Sequence, residues 1–173
     1  MSGHDTATAS LRLARWTVSS GSNARSRGAV IIDAGDHHWQ ASAEGIGAID
    51  ALYRAVDKAI DEVLDGHPRL LAYDIHALGE GTDTIGVVTV RIAPPLVSGE
   101  RGEGEYEGEA RGPNIIAASI EAYIEALNAM LAEAHWAGAA ESAGKGKRRA
   151  TESHGRRGEL DRNAKDSIPW FDQ

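Results

Sequence analysis

Apolar and polar positions alternate along the early part of the chain, stop at a glycine cluster, and then recur every third or fourth residue. The alternation predicts three strands: Leu11 to Ser19, with Trp16, Thr17 and Val18; Gly28 to Asp33, rich in Val and Ile; and His38 to Ala43. Ser20-Gly21-Ser22-Asn23 and Ala34-Gly35-Asp36 are the turns between them. Beyond Glu44-Gly45-Ile46-Gly47 the period becomes helical. Ile49, Leu52, Tyr53, Val56, Ala59, Ile60, Val63 and Leu64 form the stripe of one helix with one buried face, which Gly66-His67-Pro68 stops. Its other face carries Asp50, Arg54, Asp57, Lys58, Asp61 and Glu62, and reads as solvated, with Asp50/Arg54 and Lys58/Glu62 as four-apart pairs.

The second half repeats the plan. Tyr73 to Ile92 is two β runs joined by the Gly79-Glu80-Gly81-Thr82-Asp83 turn, with Leu71, Tyr73, Ile75 and Ala77 on one face. Ala93-Pro94-Pro95 breaks the pattern. Glu103, Glu105, Glu107 and Glu109 then alternate with Gly104, Tyr106, Gly108 and Ala110. That run is either a disordered acidic loop or a strand with a solvent-facing glutamate row, and its period of two favours the strand over a calcium-wrapping loop. Arg111-Gly112-Pro113-Asn114 opens a second helix whose stripe is Ile116, Ile120, Tyr123, Leu127, Met130 and Ala134, ending near Gly138. The reading is an α+β fold of two repeated βββα units, residues 10–66 and 67–136, each sheet packed on one long helix. Residues 1–9 are expected to be a flexible arm, and 137–173 a disordered charged tail that closes on Ile168-Pro169-Trp170-Phe171. That tetrapeptide is either an inert terminus or a docking peptide for a partner such as a separate catalytic subunit.

Composition narrows the function classes. A 173-residue chain suits one compact domain, and with no cysteine it has neither disulfides nor thiolate chemistry. The N-terminus has no apolar core of signal-peptide length and no run is long enough to span a membrane, so a soluble cytoplasmic protein is expected. The formal charge of -8 divides unevenly: Ala137 to Gln173 carries eight Lys/Arg against six Asp/Glu, and the rest is strongly acidic. An acidic body argues against nucleic acid as a partner.

Candidate chemistry is sparse. A strand running through glycine into a helix leaves amide groups unpaired, so Gly45-Ile46-Gly47-Ala48 and Gly112-Pro113-Asn114-Ile115 are the candidate ligand-binding junctions, suited to a small carboxylate or a phosphate. Neither matches a dinucleotide fingerprint or a P-loop, and no cofactor is expected. His37 and His38 point to opposite faces of a strand, which disfavours a metal site. His76 and Asp74, two apart on one face, are the candidate acid-base pair; the plainer reading is a surface pair.

Three segments in fixed order resemble a known family. AEGIGAIDALYRAVDKAI, HALGEGTDTIGVVTVRI with Tyr73 before it, and GPNIIAASIEAYIEALN are similar to the C-terminal regulatory and dimerisation domain of 2-isopropylmalate synthase and of citramalate synthases, over roughly Leu11 to Ala134. The resemblance implies two βββα units, a tight homodimer, and feedback binding of a branched-chain amino acid, leucine in the synthase, at the dimer interface near the two helix starts. The family pattern at the first junction is Gly-Asn-Gly-Pro. Here Ile46 stands where the Asn helps hold the amino-acid carboxylate, and Ala48 replaces the Pro. The chain has no room for the synthase's catalytic barrel, so the expectation is a stand-alone regulatory module acting on a separate catalytic chain. The alternative is the same module reused as a small biosynthetic enzyme, with a pocket at the dimer interface.

Overall fold

The computed structural model describes residues 10–97 and 99–140. They form two three-stranded antiparallel sheets, each packed against a helix. The first unit contains β1 (Arg12–Gly21), β2 (Ala24–Ala34), β3 (His37–Gly45), α1 (Ala48–Ala59) and the single turn α2 (Asp61–Leu64). The second contains β4 (Arg69–Ala77), β5 (Gly86–Ala93), β6 (Tyr106–Gly112) and α3 (Ile115–Leu131). The orders are β1-β2-β3 and β4-β5-β6, so each sheet is a simple meander.

The internal repeat holds down to the register. Ile32 pairs with Leu13 and Trp39, as Ile92 pairs with Leu70 and Tyr106. Both first strands carry a register shift at the same place, between Leu13 and Arg15 and between Leu70 and Ala72. Such a bulge inserts one residue and flips the alternation around it. It corrects the face expected for β4: Leu70, Tyr73 and Ile75 stand opposite the core residues Ile92, Val90 and Val88, while Leu71 is the displaced residue.

Each helix lays its apolar stripe on its sheet because Val30 and Ile32, or Val88, Val90 and Ile92, face inward at period two. One buried cluster joins the two units. Tyr53 of α1 stacks on Tyr123 of α3 at 4.4 Å between ring centroids. The side chain of Asn128 clasps the backbone of Leu11, accepting from its N–H at 2.8 Å and donating to its carbonyl at 2.9 Å. Gly108 lets α3 sit on β6: a Cβ there would lie 2.1 Å from the carbonyl oxygen of Ala122.

Other departures from the pattern are local. The first helix stops at Ala59; Ile60 leaves helical geometry at ψ 14°, and α2 follows. Ile60, Val63 and Leu64 stay buried, so the stripe survives a break that no glycine or proline announces. β2 begins at Ala24, which shortens the expected loop to Ser22-Asn23. Of the acidic run only Glu107 and Glu109 lie on a strand; a 3₁₀ turn at Glu100–Gly102 and the positive φ of Gly104 hold Glu103 and Glu105 outside it. Trp136 is buried, and so are Ala139 and Ala140, so packing continues into the segment expected to be tail. The expected arm, residues 1–9, and the Ile168 to Phe171 motif lie outside the described residues.

Candidate functional site

A cleft of about 830 Å³ opens at the seam between the two units. α1 supplies one wall, with Ile49, Asp50, Tyr53, Arg54, Asp57 and Lys58; His67, Pro68, Leu70 and Tyr73 supply the other; and Tyr123 reaches in from α3. Three tyrosine rings therefore meet at one place. Tyr53 stacks on Tyr123 and meets Tyr73 edge-on, with centroids 6.2 Å apart and planes at 88°.

Their hydroxyls are committed one by one. Tyr53 donates to the Ser119 carbonyl at 2.8 Å. Ser119 Oγ donates to the Ile115 carbonyl at 2.7 Å, so at the 2.6 Å contact with Tyr73 the tyrosine hydroxyl is the donor. Tyr123 donates to Asp57 Oδ1. Burial pushes the Tyr53 phenol well up, helped by Tyr73, and burial with the neighbouring Asp57 does the same to Tyr123. Both stay neutral hydrogen-bond donors.

Asp57 is the unexpected member. The helical wheel puts it on a solvated face, yet its carboxyl is largely desolvated, and that burial raises it to about 6. The Tyr123 hydrogen bond, His67 and Arg54 act in the opposite direction, and Asp61 adds to the rise. The expected Asp50/Arg54 pair is present at 3.0 Å. Lys58 Nζ instead donates to the Ser42 carbonyl at 3.3 Å.

The two junctions occupy equivalent positions, but each already has an acceptor. Gly47 caps α1 without a side chain, and Asp50 Oδ2 reaches back to accept from the Ile46 N–H at 2.9 Å. That contact, ahead of Arg54, holds the Asp50 carboxyl below its ordinary value. At α3, Asn114 Oδ1 accepts from Ile116 N at 3.0 Å and Ala117 N at 3.2 Å. Gly45 is a packing residue, since a Cβ would lie 2.5 Å from the Ala51 nitrogen, whereas a Cβ on Gly47 would meet nothing within 4 Å. Ile46 is 88% exposed, and Ala48 is half-buried beside it. Pro113 and Ile115 are exposed and Gly112 ends β6. The cleft touches Glu44, Ile49 and Asp50 on either side of the first junction; the second is not part of its lining.

His76 Nε2 and Asp74 Oδ2 do pair, at 2.9 Å, but with side chains 70% and 61% exposed and outside the cleft. His38 pairs with Asp33 while His37 tilts against Trp39, on opposite faces of β3. Among the described residues no group of three His, Asp or Glu is placed to hold a metal ion. No described helix is long and apolar enough to cross a membrane.

The family model for the LeuA allosteric (dimerisation) domain matches residues 2–131. The chain belongs to that family. Among curated relatives, the 2-isopropylmalate synthase of Salinibacter ruber is 41% identical over 90 residues, 52% of this chain and 14% of that protein. The 2-isopropylmalate synthase of Methylobacterium nodulans is 32% identical over 127 residues, 72% of this chain and 22% of the relative. The one from Trichodesmium erythraeum is 34% identical over 123 residues, 70% and 20% respectively. The chain thus spans about a fifth or less of the length of these relatives and is similar to their allosteric domain. In this LeuA-type domain the tyrosine and Asp57 cluster escaped the sequence reading. One signal was available: Asp57 lies four residues after Tyr53, so a buried Tyr53 carries Asp57 to the edge of the buried face.

Proposed function

We propose that this LeuA-type domain is a homodimeric sensor of a small metabolite, a branched-chain amino acid or related carboxylate, and that it regulates a condensing synthase carried on a separate chain. The observation that carries the reading is the cleft at the seam of the two units, since a ligand there touches α1, the entry to β4 and Tyr123 together. Binding across such a seam biases how two packed units sit, which is what a regulatory module requires. Gly45, Ile46, Gly47 and Ala48 form the rim beside it. Gly112, Pro113, Asn114 and Ile115 are proposed to complete the site from the second copy.

An apolar surface supports the dimer. Ile75, Leu78, Ile85 and Ile115 are each 38–59% exposed. Three of them lie at neighbouring backbone positions: Leu78 N donates to the Ile85 carbonyl at 2.9 Å, and Ile115 lies against Gly86. Exposed apolar residues of this kind support the proposed interface. The test is twofold. Sedimentation should report a dimer that Ile115→Asp converts to monomer, and leucine, isoleucine or valine should raise the melting temperature, by about 2.7 kcal/mol of stability at a hundredfold excess over Kd. A monomeric wild type, or a melting curve that none of the amino acids or their keto and hydroxy analogues moves at millimolar concentration, overturns the proposal. The catalytic alternative through His76 and Asp74 needs a closed pocket around the pair, and the two side chains stand in solvent.

A further inference from the structure

A second hollow region lies where the described chain leaves the second unit, and it shares no lining residue with the seam cleft. Two depressions of about 330 and 320 Å³ have Asp65 and Arg101 in common and so form one groove. Val63 and Leu64 of α2 give one wall, Val97 and the 3₁₀ turn at Glu100–Gly102 another, and Trp136 with Ala137 and Ala139 the third. Arg101 lies over the Trp136 ring at 4.9 Å, and its Nε donates to the His135 carbonyl at 2.6 Å. Trp136 is 1% exposed, yet its indole Nε1 is buried with no hydrogen-bond partner among the described residues, and so is Nε2 of the adjacent His135. Buried polar atoms left unpaired cost about 1–3 kcal/mol each. Leu96 and Val97, 83% and 37% exposed, add apolar surface at the same place, and Glu62, Asp65 and Glu100 make the rim acidic.

We propose that this groove is the docking site of the chain's own C-terminal segment: Ile168-Pro169-Trp170-Phe171 lies against Leu64, Val97 and Trp136, the run from Lys145 to Arg157 follows the acidic rim, and the terminal carboxylate pairs with Arg101. Three observations select this occupant. Ala137, Gly138 and Ala139 are themselves groove lining, so the segment starts at the site it is to fill. The 27 residues between Ala140 and Ile168 extend to at most about 90 Å, ample for a return to that wall, and a tether of this kind holds its end at an effective concentration on the order of millimolar. Charge agrees, since Lys145 to Arg157 carries six Lys/Arg against the single acid Glu152. Composition agrees as well: the tetrapeptide brings the chain's one Phe and one of its four Trp, and a peptide backbone carries the donors and acceptors that Trp136 and His135 lack. Because α2 belongs to the first unit while Val97, Arg101 and Trp136 belong to the second, a seated segment ties the units together outside the seam cleft. The contact is independent of any ligand in that cleft.

The experiment is fluorescence anisotropy of a labelled peptide of residues 145–173 titrated with the full chain, as wild type and as the Trp170→Ser/Phe171→Ser variant, whose own segment no longer competes. The peptide should bind the variant saturably and wild type at least tenfold more weakly, equally so at nanomolar and micromolar protein. Adding Val97→Asp or Glu100→Lys to the variant should remove or weaken the binding; both positions are exposed, and a melt checks that each protein is folded. A peptide that does not bind the open variant, binds wild type just as tightly, or ignores both groove substitutions overturns the proposal. Exclusion by wild type that fades on dilution makes a second copy's segment the occupant, and overturns docking within one chain.

Discussion

The sign of the stability change in Asp57→Asn follows from the structure. The Asp57 carboxyl is raised from 3.8 to about 6, with burial the leading cause and the Tyr123 hydrogen bond opposing it. A folded-state value above the unfolded one means the native protein holds this proton more tightly. Asp57 therefore favours folding as pH falls from about 7 towards 4, and penalises it by the full difference above the folded value. At about 1.4 kcal/mol per pH unit the penalty approaches 3 kcal/mol, and the partial opening of the cleft lowers it to about 1.5–3 kcal/mol. Asparagine has the same shape and cannot ionise, so the variant is expected to be more stable than wild type by about that amount near pH 8 and by only about a third of it near pH 4.5, where the unfolded carboxyl is still mostly ionised. Urea unfolding followed by circular dichroism at both pH values reads the difference. Comparing variant with wild type cancels Asp33 and Asp50, whose lowered values weaken the fold only as pH drops further. A variant less stable than wild type at pH 8, or a difference that does not change with pH, refutes the claim that Asp57 is charged against its environment.

Further outcomes follow from packing and capping. Gly108→Ala should destabilise by about 3 kcal/mol or more in denaturant titration, because the Cβ would sit 2.1 Å from the Ala122 oxygen and 2.3 Å from the Ala126 nitrogen, both rigid helix backbone. Asn114→Ala should cost about 1 kcal/mol through loss of the two amide contacts at the start of α3. Gly47→Ser, at an extended N-cap with open space around it, should add about 0.3 kcal/mol, because glycine is itself a tolerable N-cap that lacks only the side-chain acceptor.

The architecture was legible because each unit announces its strands by a period of two and its helix by a period near four. The repeat could be read from the glycine junctions, each ending three predicted strands and starting one helix, and Gly45 and Gly112 do close the third strand of each unit. What periodicity could not convey were single-residue insertions. The bulge beside Leu70 moves Leu71 off the expected face without altering composition or hydrophobicity. The junctions drew attention as anion sites because helix starts expose amides. Asp50 and Asn114 fill that role from within the chain, a compensation visible only in three dimensions. The cleft was the least legible feature. Its tyrosines come from α1, β4 and α3, and each looks like an ordinary apolar-face residue until Tyr73 and Tyr123 are seen to meet on the ring of Tyr53, with Tyr123 bonded to Asp57.

The effector is proposed to bind in the seam cleft. Leu70 lines it and is 49% exposed, so Leu70→Trp adds bulk to the cleft at a position that is not fully packed. Equilibrium titration of the full chain with leucine, isoleucine and valine, before and after that substitution, is the most direct test. Saturable binding that disappears in Leu70→Trp at an unchanged melting temperature is the predicted result; binding that survives the filled cleft would contradict it.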